Sequence, residues 1–196
     1  MTQEIRTFIA VELPEHVLVE IRKVQAALKR HNLNIRWVLT ENIHLTLKFL
    51  GDVAQSEIGR ILETIEKATD NLKRFSLYGK GIGVFPGPHR PQVIWVGVKG
   101  EIDVLEGLQA RLENGMESLG FAREHRPFTP HLTLGRVKGR LNRALLLKAM
   151  EELNDFQTKP FSVDSVVLFR SVLKPDGVVY TKLSEVLLEQ HEQQQA

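Results

Sequence analysis

The chain has 196 residues and no cysteine. That excludes a disulfide framework, a zinc-thiolate site and a thiol nucleophile, and it removes the usual marker of an oxidising compartment. No apolar run approaches the roughly 18 residues of a membrane span. The segment Met1 to Arg6 is polar and charged where a secretory signal needs an apolar stretch. These absences predict a cytoplasmic protein with no membrane attachment. No Gly/Ser-rich linker divides the chain, so one domain over 1–196 is expected, with 185–196 as a frayed glutamine-rich tail. There is no His-Glu-x-x-His, and no carboxylate stands in or beside the histidine motifs described next. Both facts argue against a metal centre, and the expectation is no metal ion and no cofactor.

What is present is a repeat. His44-Leu45-Thr46-Leu47 recurs as His131-Leu132-Thr133-Leu134, an offset of 87 residues. Adding 87 to Phe8 gives Trp95, and both lie in short apolar strands that lead into helical patterns. A period this long, with strands and helices inside it, predicts a duplicated α+β half and hence two lobes rather than a solenoid. In an extended strand His44 and Thr46 share one face and Leu45 and Leu47 the other, so each copy offers a titratable ring and a hydroxyl to one side.

Periodicity fills in the elements. Ile5 to Leu13 reads as a strand, and Pro14 opens a helix with Val17, Ile21, Val24 and Leu28 on one stripe. A strand at Ile35 to Leu39 is expected to form a hairpin with the motif strand Ile43 to Leu50, which Gly51-Asp52 should stop. Ser56 should cap the next helix, whose apolar face is Ile58, Ile61, Leu62, Ile65 and Ala68. A glycine-interrupted strand follows over Phe75 to Phe85, then a proline-rich loop to Pro91. The second half gives a strand Gln92 to Lys99, helices at about Glu101 to Leu119 and Leu141 to Leu153, and strands Phe161 to Arg170 and Val178 to Leu183.

Net charge is only +2, but six basic residues (Arg123, Arg126, Arg136, Lys138, Arg140 and Arg143) stand against Glu124 alone between 123 and 143. Such a window around the second motif favours a phosphate or polyanion, and otherwise reads as a solvated surface. Two imidazoles facing each other across a groove can serve as acid and base in one turnover, which suits phosphoester chemistry. Thr46 and Thr133 would donate hydroxyl hydrogen bonds to non-bridging oxygens. Lys48, at an even offset from His44, should face the same groove. Arg136, at an odd offset from His131, reaches it only if Gly135 bulges the strand, and is otherwise a rim residue. Phe8 and Trp37 would either stack a nucleobase or belong to the core.

On these motifs, and on Arg6-Thr7-Phe8-Ile9-Ala10, Phe85-Pro86, Val93 to Gly97 and Gly177 to Tyr180, the chain resembles the two-histidine (2H) phosphoesterase superfamily, and within it the LigT-like RNA 2′,3′-cyclic phosphodiesterases, also called 2′-5′ RNA ligases. The resemblance implies a bilobal α+β fold with pseudo-two-fold symmetry, two antiparallel sheets each backed by helices, and the active-site groove between them. It implies opening of a terminal RNA 2′,3′-cyclic phosphate to a 2′-phosphate, with a related 2′-5′ ligation in some members. His44 would be the proton donor and His131 the proton acceptor, with Thr46, Thr133 and Arg136 on the phosphate. The expected partner is RNA with a 2′,3′-cyclic phosphate end, or a cyclic nucleotide, and no obligate protein partner. Two alternatives stay open: a 2H phosphoesterase for another cyclic or 2′-5′ linked nucleotide, and a non-catalytic RNA-binding module.

Overall fold

A computed structural model describes residues 4–175 and 177–190. In chain order the elements are β1 (Glu4–Val11), α1 (Glu15–Lys29), β2 (Ile35–Trp37), β3 (Leu45–Ala54), α2 (Ile58–Thr69), β4 (Phe75–Phe85), β5 (Val93–Gly100), α3 (Ile102–Ser118), β6 (His131–Val137), α4 (Arg143–Glu151), β7 (Phe161–Val163), β8 (Ser165–Lys174) and β9 (Gly177–Leu187). The stripe expected for α1 is buried at Val17, Ile21, Val24 and Leu28, each side chain contributing about 1.5–3 kcal/mol of apolar burial.

The strands form one continuous antiparallel sheet in the order β7-β4-β5-β6-β3-β1-β8-β9, with β2 added on β6. The two expected sheets are the two halves of this one. They meet at a single pair, Leu45 opposite Leu132, on a pseudo-two-fold axis. The halves are also exchanged. β4 follows the first motif but pairs with β5, while β8 follows the second motif but pairs with β1. Each half-sheet therefore contains strands from both repeats. One apolar core runs under the whole sheet, from Ile9 and Leu45 to Ile94 and Leu132, and the helices cover that face. The opposite face is left open.

Several expectations are corrected. The 35–37 strand pairs with β6 rather than making a hairpin with β3; the 3-10 turn Thr40–Asn42 carries the chain across to the other half instead. β3 runs through Gly51-Asp52 to Ala54, because Gly51 adopts φ 77° and the ladder absorbs the kink as a bulge against β1. Ser56 lies in a 3-10 turn, and the residue before α2 is Glu57, with no side-chain cap. Residues 185–190 are not frayed: Glu185 and Leu187 lie in β9, Leu188 is buried, and the backbone of Glu189 bonds to Leu72 and Arg74. Residues 191–196 fall outside the described residues, as does His191. No described helix is long and apolar enough to cross a membrane.

Candidate active site

His44 and His131 stand one residue before Leu45 and Leu132, the pair on the pseudo-two-fold axis. His44 and Thr46 flank that pair on one side and His131 and Thr133 on the other, all four on the open face because Leu45 and Leu132 between them are buried in the core. Each histidine is next in sequence to a member of that pair, which brings the two imidazoles to the same stretch of the open face. Their coupling is visible electrostatically, since the charge of His131 is one of the influences lowering the pKa of His44.

Each ring is held the same way. His44 Nδ1–H donates to the Asn42 carbonyl at 2.8 Å, and His131 Nδ1–H donates to the Thr129 carbonyl at 2.7 Å. A carbonyl only accepts, so these bonds fix the Nδ1–H tautomer and leave both Nε2 atoms for the groove. Asn42 also donates from Nδ2 to the Val178 carbonyl at 2.9 Å, tying the β8–β9 hairpin to the turn that orients His44. The surroundings of the two rings differ. His44 stacks on Phe8 at 4.7 Å and meets Tyr180 edge-on at 5.2 Å. His131 meets Phe85 edge-on at 4.9 Å, with Trp95 at 6.2 Å. Trp95 lies flat over Gly83, where a Cβ would come within 2.1 Å of the indole. Burial pushes the His44 pKa down to about 4, against the opposing bond to Asn42. It also lowers that of His131, which is the more open ring. Both imidazoles are therefore neutral near pH 7 in the free protein. The hydroxyls of Thr46 and Thr133 have no hydrogen-bond partner among the described residues, so they are available to a ligand.

Beyond the threonines the strands break the alternation rule at matching places. On β3, Ile9 pairs with Lys48 and Ala10 with Thr46, so Leu47 is bulged out of register. On β6, Ile94 pairs with Gly135 and Trp95 with Thr133, so Leu134 is bulged, 87 residues later. A bulge inverts every later side chain. Lys48 is thereby turned away from the groove, contrary to its even offset. It is 5% exposed and bonds Glu113 of α3 at 2.5 Å and the Ala122 carbonyl at 2.8 Å. Phe49 takes the groove position instead, 67% exposed and 6.0 Å from Phe8. Arg136 likewise reaches the groove, and its charge acts on His131 and on Tyr180. The bulged residue is Leu134, not Gly135. Gly135 is needed for a different reason: a Cβ there would sit 2.6 Å from Ile35 of β2.

The bulges also correct the repeat alignment. Trp95 opposes Thr133 while Ala10 opposes Thr46, so β1 and β5 correspond at an offset of 85, not 87. A slip of two keeps each side chain on its face, which is why Phe8 and Trp95 still both flank a histidine. Neither Phe8 nor Trp37 offers a free ring: Phe8 is buried against Phe169, and Trp37 packs on the core with Lys29 Nζ 5.6 Å from its ring. The basic window is partly spent internally, since Arg123 pairs with Glu117, Arg126 with Glu124, and Arg143 donates to the Pro88 carbonyl. Among the other histidines, His31 pairs with Glu152, and His16 and His89 make single exposed contacts. Sequence reasoning missed Asn42, Phe49 and Tyr180. Phe49 had a readable signal in its 87-residue relation to Arg136, and Tyr180 lay in the Gly177 to Tyr180 stretch that carries the resemblance. Among the described residues no group of three or more His, Cys, Asp or Glu is placed to hold a metal ion.

Known proteins are similar to this chain in sequence and fold. The family model described as LigT like Phosphoesterase matches twice, over residues 11–95 and 96–180. An RNA 2′,3′-cyclic phosphodiesterase of Methanothermobacter thermautotrophicus is 36% identical over 92% of this chain and 97% of its own length. One of Aeropyrum pernix is 34% identical over 85% and 93%. The crystal structure of TT0787 of Thermus thermophilus superposes with a TM-score of 0.75 at 29% identity, covering 93% of this chain and 97% of that one. With two tandem family matches that together span residues 11–180 and a histidine motif in each, this chain belongs to the LigT-like phosphoesterase family.

Proposed function

We propose that this protein is a metal-independent RNA 2′,3′-cyclic phosphodiesterase. The observation that carries the reading is the Leu45–Leu132 pair, which brings two imidazoles, each anchored through Nδ1, onto one open face beside two free threonine hydroxyls. Curated relatives named for this activity match nearly the whole chain. The cyclic phosphate sits between the rings. His131 Nε2 takes a proton from water as its oxygen bonds to phosphorus; the bond from phosphorus to the 3′ oxygen breaks, His44 delivers a proton to that oxygen, and a 2′-phosphate remains. Thr46, Thr133 and Arg136 hold the non-bridging oxygens with hydroxyl and charge-assisted hydrogen bonds. The exposed ring of Phe49 is the stacking platform for the terminal base. A 5′-hydroxyl in place of water gives the 2′-5′ linkage by the same path.

The order of roles follows the family resemblance, and the free protein opposes it: His44, the donor, is held neutral more strongly than His131. The substrate supplies the missing influence, because an anionic phosphodiester against Nε2 raises the imidazole pKa. The test is turnover of an oligoribonucleotide ending in a 2′,3′-cyclic phosphate, in a chelator, with 2′-phosphate as the product. His44→Ala and His131→Ala should each lose about 10²–10⁴-fold. On a phosphodiester with an acidic phenol leaving group, which needs no proton, His44→Ala should recover and His131→Ala should not. Activity that requires added metal, or that survives both substitutions, contradicts the reading.

A further inference from the structure

β6 carries the open face outward from His131 through Thr133 to Arg136, and there it meets β2, with Arg36 directly opposite Arg136. Opposed residues of an antiparallel pair share a face, so both guanidiniums lie on the groove side and both are exposed. Like charges in this position destabilise a sheet, and among the described residues neither arginine pairs with a carboxylate. Arg136 touches the catalytic region electrostatically, since its charge acts on His131 and Tyr180. Arg36 faces β6 at Arg136, four residues along that strand from Leu132, where β3 and β6 meet. On the equivalent rim of the other half the bulge presents Phe49, an apolar ring, so the two ends of the groove are chemically unlike.

We infer that Arg36, paired across the strands with Arg136, forms a second anion subsite that takes the next phosphodiester of an RNA chain, on the 5′ side of the terminal nucleoside. This rests on the cyclic phosphodiesterase reading. A 2′,3′-cyclic mononucleotide has one phosphate and leaves the subsite empty; an oligoribonucleotide end has two and fills it. The cyclic phosphate on Arg136 offsets part of the like-charge cost of the Arg36–Arg136 pair with either substrate, and a chain end adds an anion on Arg36, which makes Arg36 a specificity residue for polymer ends. Contacts of this kind fix the register of the chain without reading its bases.

The test compares kcat/KM on a 2′,3′-cyclic mononucleotide and on a hexaribonucleotide with a 2′,3′-cyclic phosphate end. Arg36→Gln should lower the ratio of oligonucleotide to mononucleotide about tenfold, and Arg36→Lys should restore most of it. A second readout is independent of turnover: anisotropy of a labelled hexaribonucleotide ending in a 2′-phosphate, titrated at several salt concentrations. Loss of one phosphate contact should reduce the slope of log K against log salt by about 0.7. An unchanged ratio together with an unchanged slope overturns the subsite. If neither substrate turns over but the slope falls as stated, the phosphodiesterase reading fails and the anion subsite stands.

Discussion

His44 shows how one side chain serves two conflicting demands. The aromatic wall of Phe8, Phe169 and Tyr180 orients the ring but excludes water from it, and that burial drives its pKa from 6.5 to about 4. A group whose folded pKa is depressed supports stability above its unfolded pKa and loses that support as pH falls through the folded one. For His44 the window is pH 6.5 to 4, and the linked free energy is on the order of 3 kcal/mol. Urea midpoints should therefore fall steeply across that window in the parent and much less in His44→Gln; parallel curves would show that the ring is not buried neutral. The same linkage gives the sign for ligands. A phosphate that raises the pKa of either imidazole binds with proton uptake, so product affinity rises as pH falls from about 7 towards 5, as calorimetry in buffers of different ionisation heat would show.

Among the elements, the two bulged strands decide which residues the groove receives. Lys48 and Glu113 form a buried pair, and Glu113 also accepts from the Glu124 amide at 2.8 Å and Gln109 Nε2 at 3.1 Å. In the other half Gln25 of α1 is the counterpart. Its Nε2 donates to the carbonyls of Val38 and of the bulged Leu134 at 2.8 and 2.9 Å, and its Oε1 accepts from Thr40, which opens the turn that orients His44. Removing one partner of a buried pair strands the other charge. Lys48→Met should cost about 3–5 kcal/mol, whereas Lys48→Met with Glu113→Leu should recover most of that, as denaturant unfolding of the four members of the cycle would show. Additive losses would mean that the pair is not coupled. These strands also mark where the sequence stops being legible. Alternation places His44, Thr46, His131 and Thr133 on the open face, because the rule runs unbroken from the axis pair to the threonines. It misplaces Lys48 and Phe49, because a bulge arises from the ladder to β1, and that partner's register is written nowhere in the motif itself.

At the scale of the whole molecule the duplication could be read from the repeated tetrapeptide, and the exchange of strands between its halves could not. Periodicity gives β4 and β8 as strands but is silent on which neighbour each joins. The exchange builds the site into a sheet shared by both repeats. Outward from the central β6–β3 pair, each half-sheet is continued by a strand drawn from the opposite repeat, β4 beyond β5 and β8 beyond β1, so both repeats contribute strands on either side of the histidines. The expected β2–β3 hairpin failed for the same reason, since β2 is committed to the far half, where it carries Arg36 to Arg136. The central claim is that both imidazoles act on one phosphorus. The most direct measurement is ¹⁵N NMR of the two ring Nε2 resonances during titration with a single nucleoside 2′-phosphate. Both resonances should shift together, with one dissociation constant and one equivalent of ligand. Movement of one ring alone, or two independent binding curves, would contradict the account.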